Sequence, residues 1–193
     1  MQLESYGDVM TVEEVATVMR VTPHHVRLLC REGDLPGAFK WGRTWRIPRA
    51  AAEAKISGQR YTPDGPLFGA FPEVMTPREV ADAMHSHPRQ VRALADAGQL
   101  PGAFKWGPVW RVLRSCLEAL ATGQATPADP LAALPDTLTT REVAAAMRTS
   151  PRQVWEAAQR GELKGFRVRR EWRFLKAPIR DLLLRAAGGA HPG

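Results

Sequence analysis

The sequence of 193 residues has little of what marks secreted and membrane-spanning proteins. It contains only two cysteines, Cys30 and Cys116, so we expect no disulfide framework and a reducing compartment. No run of 18 apolar residues occurs, so no transmembrane helix is expected. The first residues lack the basic start and apolar core of a signal peptide. These absences predict a cytoplasmic protein with no membrane partner.

The sequence also lacks the motifs that carry common enzymatic chemistry. It has no phosphate-binding loop, no dinucleotide-binding fingerprint and no nucleophile elbow. His85, His87 and Cys116 are metal ligands by residue type only, because two histidines at i and i+2 on a turn close a zinc tetrahedron poorly and no fourth ligand follows. Glu13 and Glu14 stand at a helix start, where the helix dipole explains them. We therefore expect no enzymatic activity, no metal ion and no cofactor.

One sequence pattern occurs three times in the chain. In the first copy, Thr-x-x-Glu at 11–14 is followed by Gly-x-Leu-Pro-Gly at 33–37 and by Trp-Arg at 45–46. The second copy lies 65 residues further on without a gap, and the third lies another 63 residues on, with one residue fewer between Gly165 and Trp172. Each copy is near the smallest size that forms its own core, ~50 residues. We expect three domains on one string that can each fold alone, with the alternative that each one leans on its linker or its neighbour.

The repetition divides the chain into seven segments. We expect an N-terminal extension at 1–9, repeat 1 at 10–57, a linker at 58–74, repeat 2 at 75–121, a linker at 122–136, repeat 3 at 137–187 and a tail at 188–193. Aromatic residues in the first linker, including Phe68 and Phe71, predict that it packs on a neighbouring repeat. The second linker is rich in alanine and proline and is expected to be looser.

Positive charge is concentrated in the repeats. The formal net charge is +7. Counted over 10–56, 75–120 and 137–185, the repeats carry +3, +2 and +7, whereas the rest of the chain carries −5. Solubility does not require this separation of charge, but a polyanionic partner does.

The pattern of each repeat predicts three helices and a hairpin. Thr-x-x-Glu is a capping box for a first helix. A proline at 23, 88 or 151 starts a second helix after a tight turn, and a glycine at 33, 98 or 161 ends it in the left-handed conformation. Aromatic and β-branched residues around Gly42 predict a two-stranded hairpin. A third helix is expected near Arg49, Arg114 and Pro178, and the predicted fold class is mainly α with small β-hairpins.

This order of elements resembles the winged helix-turn-helix of phage excisionases and of the DNA-binding domain of MerR-type regulators. The most specific residues are Gly-x-Leu-Pro-Gly at 33–37 and Gly-Arg-x-Trp-Arg at 42–46. The resemblance covers about three-quarters of the chain and implies three tandem winged helix-turn-helix units. It does not extend to the sensor part of MerR-type regulators, because 178–187 is too short for their dimerising helix.

The resemblance implies where DNA contacts lie, since the second helix of such a unit enters the major groove. Its outward positions are His24, His25, Arg27, Arg89, Gln90, Arg92, Arg152, Gln153 and Trp155. Arginine and glutamine are side chains that read guanine and adenine edges. The wing lies along the backbone or minor groove in this family, and it supplies Lys40, Arg43, Arg46, Lys105, Arg111, Arg167, Arg169, Arg170 and Arg173. The alternative, that these are solvated surface residues without a ligand, stays open at this stage.

Some positions distinguish the repeats. Trp155 stands where repeats 1 and 2 have arginine, which predicts that repeat 3 reads DNA differently or contacts a protein. Pro108 stands where repeat 1 has Arg43, and repeat 2 has the lowest charge, so we expect it to bind least tightly. The arginine after the hairpin tryptophan is expected to point outward. The tryptophans expected in the core are Trp45, Trp110 and Trp172.

These observations predict a site-specific double-stranded DNA-binding protein. Fifteen extended linker residues reach about 50 Å, which exceeds one helical turn of about 34 Å. Copies joined head to tail match direct repeats, so we expect two or three half-sites about one helical turn apart within about 30 base pairs. The chain is expected to act at the nucleoid as a monomer or in a DNA-dependent head-to-tail assembly.

Two biological roles fit this prediction. One is a transcriptional regulator, and the other is an architectural factor for phage or plasmid DNA, such as an excisionase-like protein or a partition-site binder. Such roles imply a protein partner, a recombinase, a polymerase or a partition protein, which the sequence does not identify. A rival of another class is a winged-helix protein-interaction adaptor without sequence-specific DNA binding. The alanine, arginine and proline bias indicates a GC-rich bacterial genome or its phage.

Overall fold

The structure is a computed structural model that describes residues 3–63, 67–123 and 129–187, and the predicted tail 188–193 lies outside the described residues. Over the described ranges the chain forms nine α-helices and three three-stranded antiparallel sheets. The same order of elements occurs three times: strand, helix, helix, hairpin, helix. None of the helices in these ranges has both the length and the apolar character that crossing a bilayer requires.

The helices and strands have the following bounds. Repeat 1 is preceded by a 3-10 helix at Leu3–Ser5 and contains β1 Val9–Thr11, α1 Val12–Met19, α2 Pro23–Glu32, β2 Phe39–Trp41, β3 Thr44–Pro48 and α3 Arg49–Ser57. Repeat 2 contains β4 Val74–Met75, α4 Pro77–Ala83, α5 Pro88–Asp96, β5 Ala103–Trp106, β6 Val109–Leu113 and α6 Arg114–Thr122. Repeat 3 contains β7 Thr137–Thr139, α7 Thr140–Ala146, α8 Pro151–Gln159, β8 Gly165–Val168, β9 Glu171–Leu175 and α9 Lys176–Ala187.

The first helix of each repeat starts with the predicted capping box. The Glu14 backbone N–H donates to the Thr11 hydroxyl at 3.2 Å, and the Thr11 backbone N–H donates to the Glu14 carboxylate at 2.7 Å. Two free N–H groups at the helix start are thereby satisfied. The other two capping boxes are formed by Thr76 with Glu79 and by Thr139 with Glu142.

The second helix of each repeat also begins and ends as predicted. A proline takes its first turn, where the missing N–H has no consequence. The hydroxyl of Thr22 accepts from the His25 backbone N–H at 3.2 Å. In repeat 2 the ring of His87 accepts from the Arg89 backbone N–H at 3.1 Å, so histidine replaces the hydroxyl cap. Gly33 follows α2 at φ +79°, a left-handed conformation that glycine adopts without strain.

Each sheet contains one strand that the sequence pattern did not predict. β1 pairs with β3, with Met10 opposite Ile47, and the sheet order is β1-β3-β2; the other two sheets have the same order. Strands of two or three residues are too short to show an alternating pattern. Residues directly opposite each other share one face of a sheet. Met10 and Ile47 therefore face the helices of repeat 1, where both are buried, and Phe39 and Arg46 occupy the opposite face.

The segments before the repeats belong to the repeated fold as well. We call residues 3–8, 68–73 and 131–136 the leading segments. Their first residues, Leu3, Phe68 and Leu131, are all buried. In each segment the backbone N–H of the fourth residue donates to the carbonyl oxygen of this first residue. The donors are Tyr6, Phe71 and Leu134, and the N···O distances are 3.0, 2.9 and 2.9 Å. The last carbonyl in each accepts from the first residue of α3, α6 or α9, at 2.9, 2.8 and 2.8 Å. Leu131 is buried, so this end of the second linker is packed rather than loose.

The repeats share their hydrophobic cores across the repeat boundaries. Phe39 and Trp41 from the hairpin of repeat 1 lie in the core of repeat 2, and Phe104 and Trp106 from repeat 2 lie in the core of repeat 3. The expectation of separate cores on a string is therefore wrong. The reason is that the sheets of repeats 1 and 2 each pack their own helices on one face and the next repeat on the other.

Candidate nucleic-acid interface

The second helix of each repeat directs its apolar residues inward and its predicted DNA contacts outward. In α2, Val26 and Leu29 are buried in the core of repeat 1. Gln90 is half-buried, because the tip of the first hairpin approaches it: a Cβ placed on Gly42 would lie 3.4 Å from the Gln90 amide nitrogen. The predicted major-groove residues that are exposed are His24, His25, Arg27, Arg89, Arg92, Arg152, Gln153 and Trp155.

The charged side chains of these helices have weak competing partners. Arg27 pairs with Glu13 at 2.9 Å, and Arg152 pairs with Glu156 at 2.8 Å. Such exposed pairs are weak because solvent screens them, so neither carboxylate holds its arginine firmly against another anion. Gln153 caps its own helix, since its backbone N–H donates to Ser150 Oγ at 3.2 Å and its side-chain oxygen accepts from the Ser150 N–H at 3.4 Å.

Each hairpin holds one cation against an aromatic ring. The Lys40 ammonium lies 4.3 Å from the centre of the Trp45 ring, directly across the two strands. Lys105 lies over Trp110 at 4.9 Å. In repeat 3, Arg167 lies over Trp172 at 5.0 Å. A cation–π contact limits the freedom of the charged side chain, so each hairpin presents a pre-positioned cation.

A basic groove of about 310 Å³ separates the second helix of repeat 1 from its hairpin. Five cations line it, Arg27, Arg31, Lys40, Arg43 and the largely buried Arg46, against one carboxylate, Glu13. A concave surface with charge of one sign concentrates the electrostatic potential. Sequence reasoning missed Arg31, although it lies one helical turn beyond Arg27 on the same face of α2 and that spacing would have identified it.

Repeat 3 has a groove at the same place, with a volume of about 580 Å³. Arg141, Trp155, Arg170 and Arg173 line it, with Glu171 on the rim. Trp155 occupies the position of Arg27 and is 42% exposed, so an aromatic face replaces a guanidinium in this groove. Arg141 was also missed, and it replaces the Glu13 of repeat 1, which makes the entrance of this groove more basic.

The corresponding part of repeat 2 is less basic. The indole N–H of Trp110 donates to the Asp96 carboxylate at 3.0 Å and ties the hairpin to α5. Asp96 stands at the position of Arg31 in repeat 1, and Pro108 stands at the position of Arg43. Two cations of the first groove are thus replaced by one carboxylate and one neutral residue.

Two predicted wing contacts, Arg46 and Arg111, are buried, and the prediction that they face outward to DNA is wrong. They are 6% and 8% exposed. Arg46 donates to the carbonyl oxygens of Met84 at 2.7 Å and of His85 at 3.0 Å, in the turn after the first helix of repeat 2. Each does point away from its own helices, but the next repeat covers that face. Burial lowers the pKa of Arg46 from its ordinary value.

The remaining predicted hairpin cations are on the surface, and Arg173 is half-buried. The exposed ones are Lys40, Arg43, Lys105, Arg167, Arg169 and Arg170. Arg169 has φ +57° at the tip of its hairpin, where repeats 1 and 2 have Gly42 and Gly107, both at φ +59°. A non-glycine residue in this conformation is strained. Repeat 3 therefore has an arginine at a tip position whose backbone conformation glycine would adopt without strain.

The hairpin tryptophans lie at the rim of the core rather than inside it. Trp45 is half-buried and packs against the core of repeat 1. Trp110 and Trp172 have the same environment in their repeats. The prediction that they close the hairpin against the helices is thus right in direction, while the most buried hairpin tryptophan is Trp41, at 1% exposed.

His85, His87 and the two cysteines, the residues with metal-binding side chains considered above, have other surroundings in the structure. No group of three metal-ligating side chains occurs within residues 3–63, 67–123 and 129–187. His85 lies 3.1 Å from the Glu14 carboxylate across the boundary between repeats 1 and 2. Burial raises the pKa of the Cys30 and Cys116 thiols to about 11, so both stay protonated and unreactive at neutral pH.

Two short helices joined by a tight turn, with polar side chains exposed on the second, define a helix-turn-helix protein. The model of the helix-turn-helix domain family matches residues 9–54 and 137–187, about half of the chain. The chain therefore belongs to the helix-turn-helix domain family, and this membership indicates binding of double-stranded DNA. No curated protein and no solved structure matches the chain.

Proposed function

We propose that the chain binds specific sites on double-stranded DNA through three tandem winged helix-turn-helix units, with one unit in each repeat. The observation that carries this proposal is the basic groove between the second helix and the hairpin of repeat 1. With α2 in the major groove, the adjacent phosphates would meet the cations of the hairpin. Repeat 3 has the same groove, although residues of the two grooves differ in identity.

The residues divide between reading and positioning. Arg89, Arg92 and Arg152 on the second helices are the candidates for base edges, since arginine pairs with two acceptors of guanine. Lys40, Arg43 and the arginines of the third hairpin are candidates for phosphate contacts, which fix orientation and contribute affinity without sequence information. Trp155 gives repeat 3 a flat apolar surface suited to a thymine methyl group or a sugar.

The packed repeats favour closely spaced half-sites in one orientation. A unit of about 55 residues is roughly 25 Å across, which is less than the ~34 Å of one helical turn. Spacing of one turn was expected for repeats that move freely on linkers, whereas buried contacts hold these repeats together. We therefore propose direct repeats spaced by about seven or eight base pairs, with successive units following the groove around the duplex.

A fixed head-to-tail array supports an architectural role more than that of a simple operator-binding dimer. Neighbouring units joined rigidly impose their own curvature on the duplex. Additional protein–DNA contacts then offset the free energy of bending. Regulation of transcription then follows wherever such a site overlaps a promoter. An excisionase-like or partition-site function requires a protein partner in addition. Such a protein acts in the cytoplasm at the nucleoid.

Gel-shift titration at several salt concentrations tests DNA binding directly. Random duplex should shift at low salt, and the logarithm of the binding constant should fall with the logarithm of salt concentration by about 0.9 per phosphate contact. Binding that is indifferent to salt would contradict the proposal. Sequencing of fragments selected from a random pool then gives the half-site, spacing and orientation together, and a single short palindrome would contradict the direct-repeat arrangement.

One observation favours the rival function of a protein-interaction adaptor. Trp155 is an exposed tryptophan in the groove of repeat 3, and aromatic residues are common anchors of protein interfaces. The same groove is lined by Arg141 and Arg170, a combination that suits a polyanion better than an apolar anchor. Replacement of Trp155 by alanine that leaves all DNA binding unchanged would favour the adaptor for this repeat.

A further inference from the structure

Two internal joints of the chain, between repeats 1 and 2 and between repeats 2 and 3, are built alike. In the first joint Arg46 donates to the carbonyls of Met84 and His85, as described above. In the second, Arg111 donates to the carbonyl oxygen of Met147 at 3.3 Å and to that of Arg148 at 2.8 Å. In both joints the sheet of one repeat thus covers the end of the first helix in the next.

Each joint also contains a side-chain contact of a glutamate at the same place. The capping-box glutamate of one repeat pairs with the residue after the first helix of the next: Glu14 with His85, and Glu79 with Arg148. His85 and Arg148 both have a left-handed backbone, with φ +45° and +51°. Equivalent glutamates and equivalent turn residues therefore connect the repeats at both boundaries.

Repeat 3 presents the outgoing half of this joint with nothing in the described chain against it. Phe166 and Val168 are 45% and 49% exposed, whereas their equivalents in repeat 1, Phe39 and Trp41, are 7% and 1% exposed. Leu175 at the end of β9 is 50% exposed, but its equivalent Leu113 is 1% exposed. We call this surface of repeat 3 the outgoing face, and Arg173 and Glu142 lie beside it.

Repeat 1 presents the receiving half. Arg20 has φ +55° at the turn position that His85 and Arg148 occupy in the other repeats. Met19 is half-buried, whereas its equivalents are fully buried. Ile56 on α3 is 39% exposed, although the equivalent residues of α6 and α9, Ala121 and Leu183, are 2% and 0% exposed. We call this surface of repeat 1 the receiving face.

We propose that the outgoing face of one molecule docks on the receiving face of a second copy of the same chain. Arg173 then donates to the carbonyls of Met19 and Arg20 in the second copy, and Glu142 pairs with its Arg20. The occupant is a second copy because two joints of this construction already exist within the molecule, and both complementary halves are left over at its ends. Such a heterologous contact does not close on itself after one addition, so it generates open-ended chains. The contact does not depend on DNA binding.

Sedimentation velocity of the full chain without DNA tests this inference. The wild-type mass should rise with protein concentration. Two variants each block one end: Val168→Asp blocks the outgoing face and Ile56→Asp the receiving face. Each variant alone should remain a monomer. In an equimolar mixture, the intact outgoing face of Ile56→Asp can bind the intact receiving face of Val168→Asp. The two faces left over in that pair are the blocked ones, so the mixture should form a one-to-one dimer and nothing larger. A mixture that stays monomeric, or a wild type that stays monomeric at all concentrations, overturns the proposal.

Leu28→Asp is the matched control, because Leu28 is an exposed apolar residue, 38% exposed, on the second helix and away from both faces. It should leave association unchanged, and loss of association in this variant would indicate nonspecific hydrophobic contact and overturn the proposal. Arg20→Glu should raise the dissociation constant at least tenfold. Circular dichroism of each variant establishes that the fold is retained, since all four positions are on the surface.

Discussion

Arg46, Arg111 and Arg173 occupy the same register of three hairpins but have different surroundings. In the first two, the guanidinium is buried between repeats and satisfies carbonyl oxygens at the end of a helix, where positive charge is favoured. Arg173 instead bonds to Glu171 at 2.7 Å and to the Trp172 carbonyl at 3.1 Å. The same Trp-Arg pair in the same strand register therefore stabilises a joint in two repeats and leaves its arginine half-buried in the third.

Replacement of Arg46 by alanine should destabilise the fold without directly removing a DNA contact. The substitution leaves the buried carbonyl of Met84 and the partly buried carbonyl of His85 without this donor. We therefore expect a loss of about 2–4 kcal/mol in the free energy of unfolding. Urea denaturation measures it. Arg173→Ala at low protein concentration is the control and should cost less than about 1 kcal/mol, because no other repeat among the described residues covers Arg173. Equal losses in the two variants would contradict this account of the joint.

Acid should weaken the joint between repeats 2 and 3. Burial opposes ionisation of Glu79, but hydrogen bonds from Arg148 and Thr76 outweigh it and lower its pKa to about 2. A carboxyl whose pKa is lowered by folding adds stability above its unfolded pKa of about 4.5 and loses it as pH falls toward 2. Thermal melts at decreasing pH should therefore show a loss over this range that is smaller in Glu79→Gln. An unchanged pH profile in the variant would show that other carboxylates cause the loss.

The hairpin of repeat 2 differs most from the others as an element for DNA contact. Lys105 is held over Trp110, as in the other repeats, but Pro108 takes the place of Arg43 and Asp96 is bonded to the hairpin tryptophan. The element keeps its fold because the strand pairing and the glycine turn are unchanged. Its contribution to a polyanion interface falls, since the counterparts of Arg31 and Arg43 are both missing and a carboxylate, Asp96, stands in place of the first.

Introduction of the missing cation should strengthen binding. Pro108→Arg places a guanidinium where repeat 1 has Arg43, so we expect a higher affinity for duplex DNA and a salt slope steeper by about 0.9, the value for one added phosphate contact. Arg43→Ala is the reciprocal variant and should flatten the slope by a similar amount. Gel shifts at several salt concentrations measure both. If Pro108→Arg leaves the slope unchanged, repeat 2 does not place its hairpin on the backbone.

Helices were predictable from the sequence to within a few residues, whereas the third strand and the leading segments were not. Capping boxes, first-turn prolines and terminal glycines act locally, so three copies of Thr-x-x-Glu and Pro suffice to place α1 and α2. β4 has only two residues, and the packing of Leu3, Phe68 and Leu131 depends on distant parts of the chain. Such tertiary preferences leave almost no periodic pattern in the sequence.

The candidate site was predictable in part for the same reason. Outward positions such as Arg27 follow from helical periodicity, and the structure exposes nearly all of them. The burial of Arg46 and Arg111 depends on the repeat that follows in space, and strand alternation indicates only which face of the sheet they occupy. Arg31 and Arg141 line the grooves only because the hairpin lies opposite the helices, and helical periodicity does not indicate that arrangement.

At the scale of the whole molecule, contacts between repeats matter more than linker length. The cores of repeats 2 and 3 each contain aromatic residues supplied by the preceding hairpin. A small unit buries a limited fraction of its own surface, so these borrowed side chains are a substantial part of its stability. The repeats therefore depend on each other in the order of the chain, as in an array with nearest-neighbour coupling.

Truncation of Trp41 should reveal this coupling. Trp41 belongs to repeat 1 in sequence but is buried in the core of repeat 2, so Trp41→Ala should cost about 3–5 kcal/mol in the free energy of unfolding. Hydrogen exchange should show lost protection in α4 and α5 as well as in repeat 1. Val168→Asp, at a position 49% exposed in repeat 3, is the control and should change neither. Loss of protection confined to repeat 1 would contradict a shared core.

Under the proposed function, the joints determine how strictly the protein requires a given spacing between half-sites. Units held by buried contacts meet their half-sites only when the spacing and the helical phase match the array, whereas units on free linkers tolerate inserted base pairs. We expect an insertion of about five base pairs, half a helical turn, between the sites of repeats 2 and 3 to reduce affinity at least tenfold.

Arg111→Ala weakens that joint and should lose less affinity with the same insertion, although it binds the native site more weakly. Gel shifts with the two duplexes and the two proteins form a four-way comparison. Equal tolerance of the insertion by both proteins would mean that the joint opens on DNA and that the linker sets the spacing.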